Sequence, residues 1–156
     1  MNGTRTSFDR RVVASGVAAL AIAPALGSAA VADENALAKA ALAKIAAGRP
    51  MQKGRVTITL PELAENGNSV GLTIAVDSPM TAGDYVKTLH VVSEKNPIAE
   101  VVKFHLSPRA GRARVSTNIR LASTQTVTAI AEMSDGTLWF GTASVIVTLA
   151  ACVDGG

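Results

Sequence analysis

From Val56 onward, apolar side chains fall on every second position in short runs, and that period of two constrains the fold more than any other property of the chain. Val56, Ile58 and Leu60 alternate with Thr57 and Thr59, and Val70, Leu72, Ile74 and Val76 alternate in the same way. Successive side chains of an extended strand point to opposite faces, so each run makes a strand with one apolar face. Pro61 and Asn66-Gly67 separate these two runs and mark turns. The pattern continues over residues 85–93, a turn at Asn96-Pro97, residues 99–106, a loop over 107–112, then 113–121 and 124–133. Ser134-Asp135-Gly136 reads as a hairpin turn, after which 137–140 and 143–149 supply the last strand or strands. About seven strands at this spacing close most naturally into an immunoglobulin-like β-sandwich, with a small barrel as the alternative that periodicity alone leaves open.

Ahead of the strands, residues 33–48 are rich in alanine and place Leu37, Ala41 and Ile45 on one stripe with Leu42 beside it. That spacing predicts one amphipathic helix, ended by Gly48 and Pro50. Further upstream, residues 1–11 carry Arg5, Arg10 and Arg11 against Asp9, and residues 12–26 hold no charge. A basic stretch followed by an apolar one is the pattern of an export signal. The apolar run is about 15 residues, short of the roughly 18 that a membrane span needs, and Pro24 and Gly27 interrupt it. Ala30 and Ala32, flanking Val31, are small residues of the kind a signal peptidase accepts, which puts cleavage after Ala32. The pair Arg10-Arg11 directly before the apolar run resembles a twin-arginine signal, with the general secretory route or a retained anchor as alternatives. The expected organisation is a signal peptide over 1–32, a helix plus sandwich over 33–149 and an arm over 150–156, located in the periplasm.

Composition narrows the function classes. One cysteine forms no internal disulfide, and two histidines with one cysteine make no structural zinc site. The net charge is +3, and residues 1–32 account for three arginines and one aspartate, so the remainder carries only +1. With no run of basic residues, nucleic acid is not an indicated partner. Glycine-rich phosphate loops, serine triads and paired carboxylates at recognisable spacing are absent from the sequence, and no cofactor or metal is expected. His90 and His105 lie in separate strand patterns with no carboxylate at ligand spacing, which favours packing or surface positions. Arg109, Arg112 and Arg114 gather near one loop, where a solvated surface is the simpler reading and anion steering or partner docking the sharper one.

Cys152 is the most informative residue. It sits in Ala150-Ala151-Cys152-Val153-Asp154-Gly155-Gly156, a stretch whose small side chains favour mobility. Three residues beyond Leu149 span about 10 Å when extended, enough to offer the thiol to a cleft on another protein. A lone thiol is unusual outside the cytoplasm. It reads as a reactive thiol, as a site of intermolecular disulfide or lipid attachment, or as an incidental small residue. A thiol near its ordinary pKa of about 8.5 is a few per cent thiolate at neutral pH. No activating base stands beside it in sequence, and Asp154 works against ionisation.

These residues carry a resemblance. The small-residue helix before Gly48, the segment Leu60-Pro61-Glu62-Leu63-Ala64-Glu65-Asn66-Gly67, Asn96-Pro97 followed by a strand with Phe104, Arg120-Leu121-Ala122-Ser123, the stretch from Ala129 to Gly136 and the near-terminal Cys152 together resemble the SoxY family of the bacterial thiosulfate-oxidising system. The resemblance implies an immunoglobulin-like sandwich, a heterodimer with a SoxZ-like subunit, and a sulfur intermediate held covalently on Cys152. It also implies transient visits to a c-type cytochrome enzyme, a hydrolase and a sulfane dehydrogenase, with this chain as carrier and not itself an enzyme. Where that family's tail has glycines around the cysteine, this chain has Ala150-Ala151 and Val153-Asp154, which adds bulk and negative charge to the arm. A non-catalytic exported interaction module and a stand-alone thiol enzyme are the competing readings.

Overall fold

Thr, Val and Ile at alternating positions make good strands because their branched side chains pack well on a pleated surface. The computed structural model describes residues 35–151, and in it a helix, α1 (Ala36–Ala46), precedes nine strands. These are β1 (Met51–Lys53), β2 (Val56–Thr59), β3 (Leu63–Ala64), β4 (Val70–Val76), β5 (Val86–Ser93), β6 (Glu100–His105), β7 (Arg114–Ile119), β8 (Gln125–Met133) and β9 (Leu138–Val147). The larger sheet runs β1-β9-β8-β5-β6, with β3 also pairing with β9, and the smaller runs β2-β4-β7. The two form the immunoglobulin-like sandwich that the alternation predicts. No helix among the described residues is long and apolar enough to cross a membrane.

The alternation decides what fills the space between the sheets. Val70, Leu72, Ile74 and Val76 of β4 face Leu89 and Val91 of β5 and Val127, Ala129, Ala131 and Met133 of β8 in one continuous core. The opposite face of the larger sheet is also covered. Ala38 and Ile45 of α1 lie against Val92, Ile130 and Leu138, with Leu42, Met51 and Phe140 at the margin. The larger sheet is thus the middle of three layers, and β5 is buried along almost its whole length.

Two strands depart from the sequence expectation. β1 and β3 contain three and two residues, too few for alternation to register. Both exist because they add in parallel to β9, Met51 opposite Leu138 and Leu63 opposite Ile146. The last strand is continuous across Gly141, where a side chain would overlap the Val56 carbonyl. Gly141 is therefore a point of close approach between the sheets, not a break.

The helix ends in the anticipated place by a different device. Ala47 takes the left-handed conformation, φ 47°, and its N–H reaches the Ala43 carbonyl at 2.9 Å. Arg49 then occupies carbonyls that the helix leaves open. Its guanidinium donates to Ile45 O at 3.1 Å and Ala46 O at 3.2 Å, and also to Glu132 Oε1 at 2.9 Å and Gly136 O at 3.1 Å. One side chain thereby fastens α1 to the β8–β9 hairpin.

His90 does have a carboxylate partner, one that the sequence separates from it. The β5–β6 pairing, with its register shift at Val91/Val92, sets Glu100 Oε1 2.7 Å from the nearly buried His90 Nδ1. Lys103 Nζ lies 3.8 Å from the same oxygen. Burial, the largest single influence, pushes the Glu100 carboxyl up, yet the His90 hydrogen bond and the charges of Lys103, His90 and Lys44 together hold it below its ordinary value of 4.5. A carboxyl depressed in the folded state stabilises fully above its unfolded value and loses that contribution as pH falls through the folded one. Thermal unfolding between pH 6 and 3 should therefore show a loss of stability below about pH 4.5 that is smaller in Glu100→Gln; equal acid sensitivity in both proteins would contradict the role given to this pair.

Candidate functional site

The segments that carry the sequence resemblance lie far apart in the chain, and the fold brings three of them to one place, the exit of β9. The first is the 61–67 segment, which tracks β9 to its end. Ile146 N–H donates to Glu62 O at 2.9 Å, Thr148 N–H to Ala64 O at 3.1 Å, Thr148 Oγ1 to Glu65 O at 2.9 Å, and Gly67 N–H to Leu149 O at 2.8 Å. The second is Arg120-Leu121-Ala122. The Leu121 side chain is fully buried in the core between the sheets, which fixes its backbone; its N–H donates to Gly67 O at 2.9 Å and its carbonyl accepts from Ala151 N–H at 3.2 Å.

Gly67 sits where these strands converge. Sequence reasoning makes Asn66-Gly67 a turn, and Asn66 Oδ1 does accept from Asn68 N–H at 2.9 Å as an Asx turn requires. Gly67 itself has a second function. A Cβ there would overlap the Leu121 carbonyl and come within 3.1 Å of Ala151 N, so only glycine lets the 61–67 segment, residue 121 and residue 151 meet.

The third segment is Asn96-Pro97. Asn96 is buried and its side chain works as a clamp. Nδ2 donates to Arg120 O at 2.8 Å, and Oδ1 accepts from Ala122 N–H at 2.9 Å and Gln125 Nε2 at 3.2 Å. Gln125 Oε1 in turn accepts from Ser93 Oγ and, at 2.9 Å, from Lys95 N–H. A buried polar group without a partner costs about 1–3 kcal/mol, so this satisfied network holds residues 120–122 in one position. Its signal in the sequence is Gln125 in register with Val127 and Ala129, and Ser93 in register with Leu89 and Val91: polar residues in core-facing positions.

Ala151, the residue before Cys152, is thus tied to the body of the sandwich. Cys152 and the other expected functional residues, Arg10, Arg11, Ala30 and Ala32, lie outside the described residues. Neither histidine bonds to the exit: His90 pairs with Glu100 and His105 Nδ1 lies 3.5 Å from Thr88 Oγ1. Arg109 stands in a short 3-10 turn, Pro108–Ala110, and Arg114 opposite Ala75 on β7. Among the described residues no group of three or more His, Cys, Asp or Glu is placed to hold a metal ion. The group that sequence reasoning overlooks is Arg120, a cation one residue from the carbonyl that anchors Ala151. Gly67→Ala should destabilise the protein by about 1–3 kcal/mol through overpacking and speed hydrogen exchange at the Ala151 amide; unchanged exchange there would remove Gly67 from the exit.

Comparison with known proteins adds an independent line. A family model described as sulfur oxidation protein SoxY matches residues 38–152, and so reaches Cys152 itself. No curated protein matches the sequence. Among solved structures, the sulfur carrier protein SoxY from Chlorobium limicola f thiosulfatophilum is 27% identical, with a TM-score of 0.59, over 71% of this chain and 96% of that one. Superoxide reductase (neelaredoxin) from Ignicoccus hospitalis is 17% identical, TM-score 0.52, over 60% of this chain and 80% of that one. Superoxide reductase from Nanoarchaeum equitans is 12% identical, TM-score 0.52, over 62% of this chain and 100% of that one. The likeness to the two reductases is one of fold alone. With the family match spanning most of the sequence and the same segments gathered at the exit of β9, this chain belongs to the SoxY family of sulfur oxidation proteins.

Proposed function

We propose that the chain is a covalent carrier of sulfur intermediates, holding its cargo on Cys152 and presenting it to partner enzymes. The observation that supports this most directly is that the chain's one cysteine follows immediately on Ala151, the residue tied through Leu121 to a rigid sandwich. A carrier needs that arrangement: a firm base, then a reactive group that several active sites reach in turn.

Loading joins the Cys152 sulfur to the outer sulfur of thiosulfate. The S–S bond forms as the thiol proton leaves and two electrons pass to a c-type cytochrome partner, giving a cysteine S-thiosulfonate. Hydrolysis by a second partner releases sulfate, and a sulfane dehydrogenase oxidises the sulfur that remains on the cysteine. The thiolate is the attacking form, and Asp154 disfavours it, so activation belongs to the partner's site. The carrier works as a heterodimer with a SoxZ-like subunit in the periplasm, delivered by a signal that includes Arg10 and Arg11 and is cut after Ala32.

A Cys152→Ser strain should lose thiosulfate oxidation to background while the purified variant keeps the wild-type unfolding midpoint. Undiminished oxidation in that strain, or after deletion of residues 150–156, would instead make the chain a binding subunit whose thiol is dispensable.

A further inference from the structure

Asn66-Gly67 is the one Asn-Gly pair after residue 32, and the exit of β9 holds its two reactive groups in opposite conditions. An asparagine followed by glycine modifies itself when the main-chain nitrogen of the glycine reaches the side-chain carbonyl carbon, because no Cβ stands in the way. The nitrogen gives up its proton to base and bonds to Cγ, and the side-chain amide departs as ammonia, leaving a five-membered cyclic imide. Water then opens the imide at either carbonyl, giving aspartate or the β-linked isoaspartate. One water enters, one ammonia leaves, and nothing is oxidised or reduced.

The carbon is primed for this reaction. Asn66 is exposed, and its Oδ1 accepts from both Asn68 N–H and Asn68 Nδ2, each at 2.9 Å. Two donors on that oxygen favour the negative charge it gains when a nucleophile adds to Cγ. The nitrogen, in contrast, is withheld. Gly67 is buried, its N–H donates to Leu149 O at 2.8 Å, and its carbonyl accepts from Leu121 N–H at 2.9 Å, so the proton that must leave is bound. Thr148 Oγ1 fastens the residue before the pair by donating to Glu65 O at 2.9 Å. Asn96-Pro97 cannot react in this way, because proline has no N–H.

We propose that Asn66 is a self-modification site gated by the exit of β9, converting to aspartate or isoaspartate only while the bond from Gly67 N–H to Leu149 O is open. Isoaspartate then prevents the exit from closing as before. It adds a main-chain methylene directly ahead of Gly67, where even a single added Cβ would overlap the Leu121 carbonyl. Gly67 then loses its simultaneous hold on Leu149 and Leu121, and with it the exit loses the position of Ala151. The site depends on how the strands meet and not on what Cys152 carries, so it stands or falls separately from the carrier role.

The test follows deamidation at residue 66 by mass spectrometry in the full, folded chain at mildly alkaline pH, with a synthetic peptide of residues 62–70 as the open reference. Hydrogen exchange of the Gly67 amide is measured in the same buffer. Exchange and cyclisation both begin with removal of the same proton from the same opened amide. Relative to the peptide, both should therefore be slowed by one common factor, of about tenfold or more and matching within about threefold. Thr148→Val keeps the volume of an exposed side chain and removes its hydroxyl; both factors should fall together by about fivefold, the weight of one hydrogen bond, while Thr148→Ser keeps them. Deamidation at the peptide's rate, no product after the time that the exchange factor sets, or faster exchange in Thr148→Val without equally faster deamidation would overturn the gate. In the isoaspartate fraction the Ala151 amide should exchange faster than in the unmodified chain, and equal rates there would overturn the effect on the exit.

Discussion

The larger sheet is buried on both of its faces, and the rest of the structure follows from that constraint. One face meets the small sheet through Leu89, Val91, Val127 and Ala129, and the other meets α1 through Val92, Ile130 and Leu138. A sheet enclosed in this way leaves its interior strands little freedom to shift register, because a slip by one residue would exchange the side chains of two filled layers. Most of the polar groups caught in it are paired, the buried Trp139 Nε1 being an exception among the described residues. Ser93 and Gln125 join Asn96, and His90 joins Glu100.

That rigidity is handed on to the exit of β9. The 61–67 segment lies alongside the strand, the buried Leu121 fixes the carbonyl that receives Ala151, and Asn96 holds the backbone on either side of Leu121. On the carrier role proposed above, a thiol attached directly after such an anchor starts from a defined origin, which would limit the volume it searches and raise its effective concentration at any site within reach. The segments that carry the resemblance thus build the base from which the chain leaves the sandwich at Ala151, which is the mounting that the proposed carrier role requires.

How much of this the sequence reveals depends on whether the cause is local. β4 is predicted to its last residue because Val70, Leu72, Ile74 and Val76 alternate without a break, and the helix because its apolar residues recur at three and four. β1 and β3 escape notice because their reason for being strands is β9, some 80 residues away in sequence; nothing in Met51-Gln52-Lys53 alone calls for extended structure. Cys152 is conspicuous as the only thiol. The surroundings of Ala151 are not: Asn66-Gly67 and Asn96-Pro97 look like ordinary turns, since close approach to Leu121 and a clamp on Arg120 are long-range properties. The same holds for His90 and Glu100, which become neighbours only through strand pairing.

The central claim is that Cys152 carries sulfur, and the most direct measurement is the intact mass of the protein isolated from sulfur-fed cells of its own source, before and after reduction, with any added mass mapped to the C-terminal peptide. The account predicts a sulfur or sulfonate adduct on Cys152 that a reductant removes. A bare thiol on the protein from such cells would contradict it and leave the sandwich as a binding subunit.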